Sequence, residues 1–225
     1  KVNVTLEGKS TIETSAPGFA GNVFGEHSPG VLAQSIGGGG GNGGHSVSTA
    51  ISNPLDLVSV TVSKGGTGAS GGNSDDVKVT TNSGSSIITN ARASSGVVAQ
   101  SIGGGGGNGG TAIDSDSGKS AVKLNVSVGM GGSAGNGGSP GSVIVGSSGN
   151  ILTYQAKSNG IVAQSIAGGG GNGGNVIDSE SETAPLSMNF DVIMGGTGGK
   201  AEAAGNSAAN ILSGGSVTTY GDHAA

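Results

Sequence analysis

Hydrophobic and polar residues alternate along three short runs of the chain. These runs are Leu57–Val62, Val122–Val128 and Met188–Ile193. A period of two predicts β-strands with one buried face, because neighbouring side chains of a strand point to opposite sides. Helix is not predicted, since glycine and β-branched residues dominate the chain and both disfavour helix.

More strand-like segments follow each run after a glycine-rich block. The first set comprises Val77–Thr81, Ser142–Gly146 and Ser216–Tyr220. A turn such as Asn82–Gly84 then leads to a last short strand, which is Ile87–Thr89 in one copy and Ile151–Thr153 in the next. The pattern therefore predicts about four strands in each copy.

A fifteen-residue, glycine-rich phrase occurs three times, beginning at Gly30, Gly96 and Gly160, so that the copies are 66 and 64 residues apart. A nearly constant spacing of this kind indicates units that stack on one another. We expect one continuous repeat segment of a longer protein. Its predicted divisions are a partial repeat over 1–29 and full repeats over 30–95, 96–159 and 160–225.

The predicted fold class is all-β, a right-handed parallel β-helix or β-solenoid with repeated glycine-rich loops on one face. Large aromatic residues are few, so we expect a narrow interior filled by Val, Ile, Leu and Ala. Because the repeat is long for a single coil, two or three coils per repeat are expected.

The glycine phrases allow three arrangements: loops aligned on one face, polyglycine-II-like strands packed side by side, or mobile loops. We favour aligned loops, because the repeat period brings the phrases into register. The asparagines of the phrases suit left-handed turn positions, and they are also candidate contact positions; these are Asn42, Asn108 and Asn172.

Glutamines also recur at one phase of the repeat, at Gln34, Gln100 and Gln164. Stacked amides of this kind can form a hydrogen-bonded ladder. The alternative is an outward polar residue on a strand. Both interpretations stay open on the sequence, and both make these glutamines candidate contact positions.

Composition and charge exclude several function classes. Glycine supplies 51 of 225 residues, against roughly 7% in ordinary proteins, but it occurs in runs and not at every third position as in collagen. The net charge of −5 provides no basic surface for nucleic acid. Without cysteine there are no disulfides or thiolate zinc sites, and no apolar stretch approaches the ~20 residues that span a bilayer.

Carboxylates recur at one phase of the second and third repeats. Candidate calcium ligands are Asp114, Asp116, Asp178 and Glu180, because calcium prefers hard oxygen donors. The first repeat has Ser48 at that phase. The sequence therefore favours a solvated turn at these carboxylates over a metal site. We predict no catalytic residues, no cofactor and no enzymatic activity; the glycine pattern over 39–44 that matches a dinucleotide fingerprint is expected from composition alone.

The repeated phrase, the strand after it, the second glycine block and the turn that leads from Asn82 to Ile87–Thr89 resemble the glycine-rich repeats in passenger domains of large Gram-negative autotransporters. The resemblance covers essentially the whole chain, with Ala167 replacing a glycine of the phrase and an Ala-rich second block over 201–209. It implies export by the type V route and a β-helical passenger on the bacterial cell surface. It also implies attachment to a C-terminal outer-membrane β-barrel outside this segment.

The expected function is adhesion or self-association, with a surface glycan, a surface protein or another copy of the chain as partner. The alternative is a passive stalk or fibre segment that positions a distal binding module. These two functions differ in whether the segment itself binds anything.

Overall fold

The computed structural model of the chain describes residues 1–14, 25–53 and 55–225. Residues 15–24, which belong to the predicted partial repeat over 1–29, and Pro54 lie outside the described residues. The described residues contain seventeen strands and no helix. The prediction of an all-β fold is confirmed.

Each full repeat contributes five strands, one more than the sequence predicts, and two further strands precede the first phrase. The early strands are β1 (Val2–Leu6) and β2 (Thr11–Thr14). The first full repeat has β3 (Val31–Ile36), β4 (Ser46–Ser52), β5 (Val58–Lys64), β6 (Val77–Thr81) and β7 (Ser86–Thr89). The second has β8 (Val97–Ile102), β9 (Ala112–Gly118), β10 (Val122–Met130), β11 (Val143–Ser147) and β12 (Asn150–Thr153). The third has β13 (Ile161–Ile166), β14 (Val176–Glu182), β15 (Leu186–Met194), β16 (Ser207–Ile211) and β17 (Ser216–Thr219).

Equivalent strands of successive repeats pair with each other, always in parallel. Five stacked sheets result: β1-β6-β11-β16, β2-β7-β12-β17, β3-β8-β13, β4-β9-β14 and β5-β10-β15. The register follows the repeat, so that Val97 lies between Val31 and Ile161. Strands of one repeat do not pair with each other in the described part of the chain. The expectation of two or three coils per repeat is therefore wrong, because each repeat forms a single layer.

An apolar core lies between three of these sheets, those that contain β6, β7 and β8. Its residues are small and mostly β-branched, and Val79, Ile87, Val97, Val145 and Ile151 are completely buried. Such side chains fill a narrow interior and also favour strands. The predicted interior of Val, Ile, Leu and Ala is present in this part of the molecule.

The glycine-rich segments form a hydrogen-bonded bundle. We call 37–44, 103–110 and 168–174 the first blocks, and 65–72, 131–138 and 195–199 the second blocks. First blocks of neighbouring repeats run parallel, and the Gly40 N–H donates to the Gly105 carbonyl at 2.7 Å. First and second blocks run antiparallel, with Gly107 donating to Ala69 at 2.9 Å and Gly135 donating to Gly107 at 2.8 Å.

Hydrogen bonds in this glycine bundle recur at every third residue. Gly104, Gly107 and Gly110, for example, donate to Gly72, Ala69 and Gly66 of the preceding repeat. A three-residue period, with hydrogen bonds only between neighbouring extended segments and none within a segment, is the geometry of polyglycine II. The expectation of aligned loops is therefore wrong, and the arrangement is the side-by-side packing of extended strands.

Close backbone approach explains why the bundle needs glycine. A Cβ built on Gly107 would lie 2.0 Å from the carbonyl oxygen of Gly41, which is a backbone atom of the neighbouring repeat. No glycine of the two sets of blocks has a left-handed φ, and neither do Asn42, Asn108 and Asn172. The prediction of left-handed asparagines is wrong, because the chain passes through these positions in an extended conformation.

Candidate functional site

The remaining two sheets, β4-β9-β14 and β5-β10-β15, lie face to face and form what we call the two-sheet unit. Its interior is polar: along β10, Lys123, Asn125 and Ser127 are buried, and along β5 so are Ser59 and Thr61. The alternating aliphatic residues of the same strands point outward. The predicted strands are present, but the predicted interior of Val, Ile, Leu and Ala is wrong for this unit, because the buried residues of β5 and β10 are polar.

Outward side chains of the β5-β10-β15 sheet create a continuous apolar surface, which we call the apolar outer face. The register aligns Val60, Val126 and Phe190 in one row across the sheet. Val60 and Phe190 are 61% and 55% exposed. The remaining members of the face are Val58, Val62, Lys64, Val122, Leu124, Val128, Met130, Leu186, Met188, Val192 and Met194.

Lys64 alone among these outward residues carries a charge, and it lies at the end of its strand, in register with Met130 and Met194. A contiguous apolar patch of this kind on a protein surface is typical of an interaction site. The face grows by one strand with every repeat, because each repeat adds a strand to this sheet.

A buried ion pair joins the two sheets of the unit. The Lys123 Nζ lies 3.0 Å from Asp116 Oδ1, and the two side chains are 0% and 7% exposed. Beside this pair, Asp114 is completely buried, and neither of its carboxylate oxygens has a hydrogen-bond partner. Charges are costly in such an interior unless they are paired or neutralised.

Three carboxylates converge in the third repeat. Oxygens of Asp178, Glu180 and Asp191 all lie within 4.8 Å of one another. Burial raises the pKa of Glu180, and the negative charges of Asp191 and Asp178 raise that pKa further. The Asn189 side-chain amide donates a hydrogen bond to Glu180.

All four candidate calcium ligands thus lie on strands β9 and β14, with Asp114 beside Asp178 and Asp116 beside Glu180. Their side chains point into the two-sheet unit, where alternate residues of β9 are buried. The prediction of a solvated turn is therefore wrong. Sequence reasoning also missed Asp191, because it lies on a different strand and its position holds Ser127 and Thr61 in the other repeats.

Amide ladders connect the repeats along the surface. The Gln34 side chain donates to Gln100 at 2.6 Å, and Gln100 donates to Gln164 at 2.7 Å. These glutamines are on strands and are partly or fully exposed, so the two interpretations of the sequence apply together.

The exposed asparagines of the first blocks form a second ladder, in which the side-chain carbonyl accepts the backbone N–H of the next asparagine. Asn108 donates to Asn42 at 2.9 Å, and Asn172 donates to Asn108 at 2.8 Å. Each ladder fixes the register of neighbouring repeats. A role of either ladder in binding a partner stays a prediction.

Within the described ranges there is no detectable pocket, and no helix has the length and apolar character needed to cross a membrane. Comparisons with protein-family models, curated proteins and solved structures found no match to this chain. The candidate functional features of the chain are therefore its surfaces and side-chain clusters.

Proposed function

We propose that this chain is a segment of a non-enzymatic passenger domain of the autotransporter class, folded as a right-handed parallel β-helix. In the proposal it acts at the bacterial cell surface by self-association or adhesion. Parallel strands that stack at the repeat period support the architecture. The repeated phrase supports the assignment to this class.

The apolar outer face is the observation that carries the functional part of the proposal. Its side chains are apolar on all three strands except at Lys64. Sugar recognition requires polar donors and acceptors, and the face presents almost none. A second copy of the same face is the better partner, because two flat apolar sheets exclude water from each other.

The size of the face indicates that association strengthens with the number of repeats. Three strands spaced about 4.8 Å apart, each about 25 Å long, present roughly 350 Å². A stable interface needs about 800 Å² per partner. A segment of three repeats should therefore associate weakly, whereas a longer array would add strands to one continuous contact.

Self-association can be tested by sedimentation velocity with the 1–225 chain and with a variant carrying Val60→Thr, Val126→Thr and Phe190→Thr. Threonine retains strand propensity and removes apolar surface from one complete row. We expect concentration-dependent association of the parent chain and at least tenfold weaker association of the variant. Their circular dichroism spectra should be the same.

The other sheet of the two-sheet unit offers a matched control. There Val47, Ile113 and Ile177 are in register with one another and form an outward apolar row. Threonine at these three positions should leave association unchanged. A parent chain that is monomeric at all concentrations, or a control that weakens association equally, would contradict the proposal. A monomeric parent chain would favour the passive stalk.

A further inference from the structure

The interior of the two-sheet unit carries an excess of negative charge in the third repeat. We propose that Asp178, Glu180 and Asp191 bind a divalent cation of the calcium type between the two sheets, next to the buried Asp114. This inference concerns the interior of the unit, and it is independent of the apolar outer face and of self-association.

Geometry supplies the first argument. The oxygens of Asp178, Glu180 and Asp191 come from two facing strands, β14 and β15, and all lie within 4.8 Å of one another. Calcium binds oxygens at about 2.3–2.6 Å, so oxygens around one ion are separated by no more than about 5 Å. A single ion between the strands can therefore contact all three carboxylates.

Asp114 supplies an independent argument. It is 0% exposed, and both of its carboxylate oxygens lack a hydrogen-bond partner. It lies directly beside Asp178 in the register of β9 and β14, on the same inward side. A buried carboxylate without a partner is strongly unfavourable, and a cation in the adjacent cluster would remove that cost.

Comparison of the second and third repeats supplies the third argument. In the second repeat, Asp116 is neutralised by Lys123. In the third repeat the residue in register with Lys123 is Ser187, and the one in register with Ser127 is Asp191. The third repeat thus lacks the ammonium group and gains a carboxylate. A bound cation would take the place of the lysine charge.

Ligand chemistry selects the type of ion. All of the converging atoms are carboxylate oxygens, and the six strands of the unit contain neither histidine nor cysteine. Hard oxygen donors of this kind prefer calcium or magnesium over zinc and copper. Calcium is favoured over magnesium, because carboxylates from separate strands suit its flexible coordination better than a strict octahedron.

Calorimetric titration of the chelator-treated 1–225 chain with calcium chloride alone tests the proposal, together with melting curves in calcium and in chelator. We expect one ion per chain and a melting temperature several degrees higher in calcium. Asp191→Ser restores the residue of the second repeat, and it should weaken calcium binding at least tenfold. Asp222→Asn, a change at an exposed carboxylate outside the unit, should have no effect.

If Asp191→Ser folds poorly, a second variant, which supplies the missing positive charge, still tests the proposal. Ser187→Lys copies the lysine of the second repeat, so it should raise the melting temperature in chelator and abolish the response to calcium. The proposal is overturned if the parent chain shows neither binding heat nor a calcium-dependent melting shift. It is also overturned if Ser187→Lys keeps the full response to calcium.

Discussion

Replacing Gly107 with alanine should strongly destabilise the stacked structure, because the added methyl group would overlap the backbone of the neighbouring repeat. Its Cβ would lie 2.0 Å from the Gly41 oxygen and 2.5 Å from the Gly41 carbonyl carbon. Both are backbone atoms in a bundle held on all sides by hydrogen bonds, so no side-chain rotation relieves the clash. We expect a loss of at least about 3 kcal/mol in the free energy of unfolding, measured by urea denaturation.

Gly105 provides a matched control two residues away in the same block. An alanine Cβ at Gly105 would meet no atom closer than the Gly169 oxygen at 3.9 Å, and the residue has no left-handed φ. We expect Gly105→Ala to be neutral or to stabilise the chain by up to about 1 kcal/mol, because alanine restricts the unfolded state. Equal destabilisation by the two substitutions would contradict the bundle.

Lys123→Met is also expected to have a large effect on stability. The substitution keeps most of the side-chain volume but leaves the Asp116 carboxylate buried without its ammonium partner. Breaking a buried pair from one side typically costs about 3–5 kcal/mol. Urea denaturation of the parent chain and the variant measures this difference.

Two further variants separate the charge effect from a loss of packing. Lys123→Met combined with Asp116→Leu removes both charges and should recover much of the lost stability, because no unpaired carboxylate is left at that pair. Lys1→Met removes an exposed partner of Asp76, 3.6 Å away, and should leave stability nearly unchanged. If Lys1→Met and Lys123→Met lower the free energy of unfolding by similar amounts, the Lys123–Asp116 pair is not buried away from water.

The stacking and the strand content were predictable because they depend on local signals. Alternation identified β5, β10 and β15, and the phrase spacing gave the parallel register. Strands β4, β9 and β14 were missed, since a segment such as AIDSDSG has polar residues at the positions that turn out to be buried. Polar residues in a segment after a glycine run are more typical of a turn.

Which face of β5, β10 and β15 is buried could not be predicted from alternation alone. The pattern Val-Ser-Val-Thr-Val has an apolar face and a polar face, and alternation favours burial of the apolar one, but the outcome depends on what lies opposite. In this fold Asp116 of β9 lies opposite β10, and it pairs with Lys123 inside the unit. The presence of Lys123 and Asp116 in one repeat was the sequence signal for a polar interior, because a lysine and an aspartate on neighbouring strands can pair.

The packing of the glycine blocks was not predictable, because the same glycine-rich sequence suits loops and polyglycine II equally well. The difference depends on hydrogen bonds between residues far apart in sequence, such as Gly107 with Ala69 and with Gly135. Only the spacing of both sets of blocks at the repeat period indicated that such neighbours would be available.

Residue-resolved hydrogen exchange by NMR on the first block of the middle repeat tests the central claim most directly. Gly104, Gly106 and Gly107 donate their N–H groups to Gly72, Gly169 and Ala69, respectively, whereas the Gly105 N–H has no partner among the described residues. We expect strong protection of the amides of Gly104, Gly106 and Gly107, with rapid exchange at Gly105 between them. Uniformly rapid exchange across 103–110 would contradict the hydrogen-bonded glycine bundle and would support mobile loops instead.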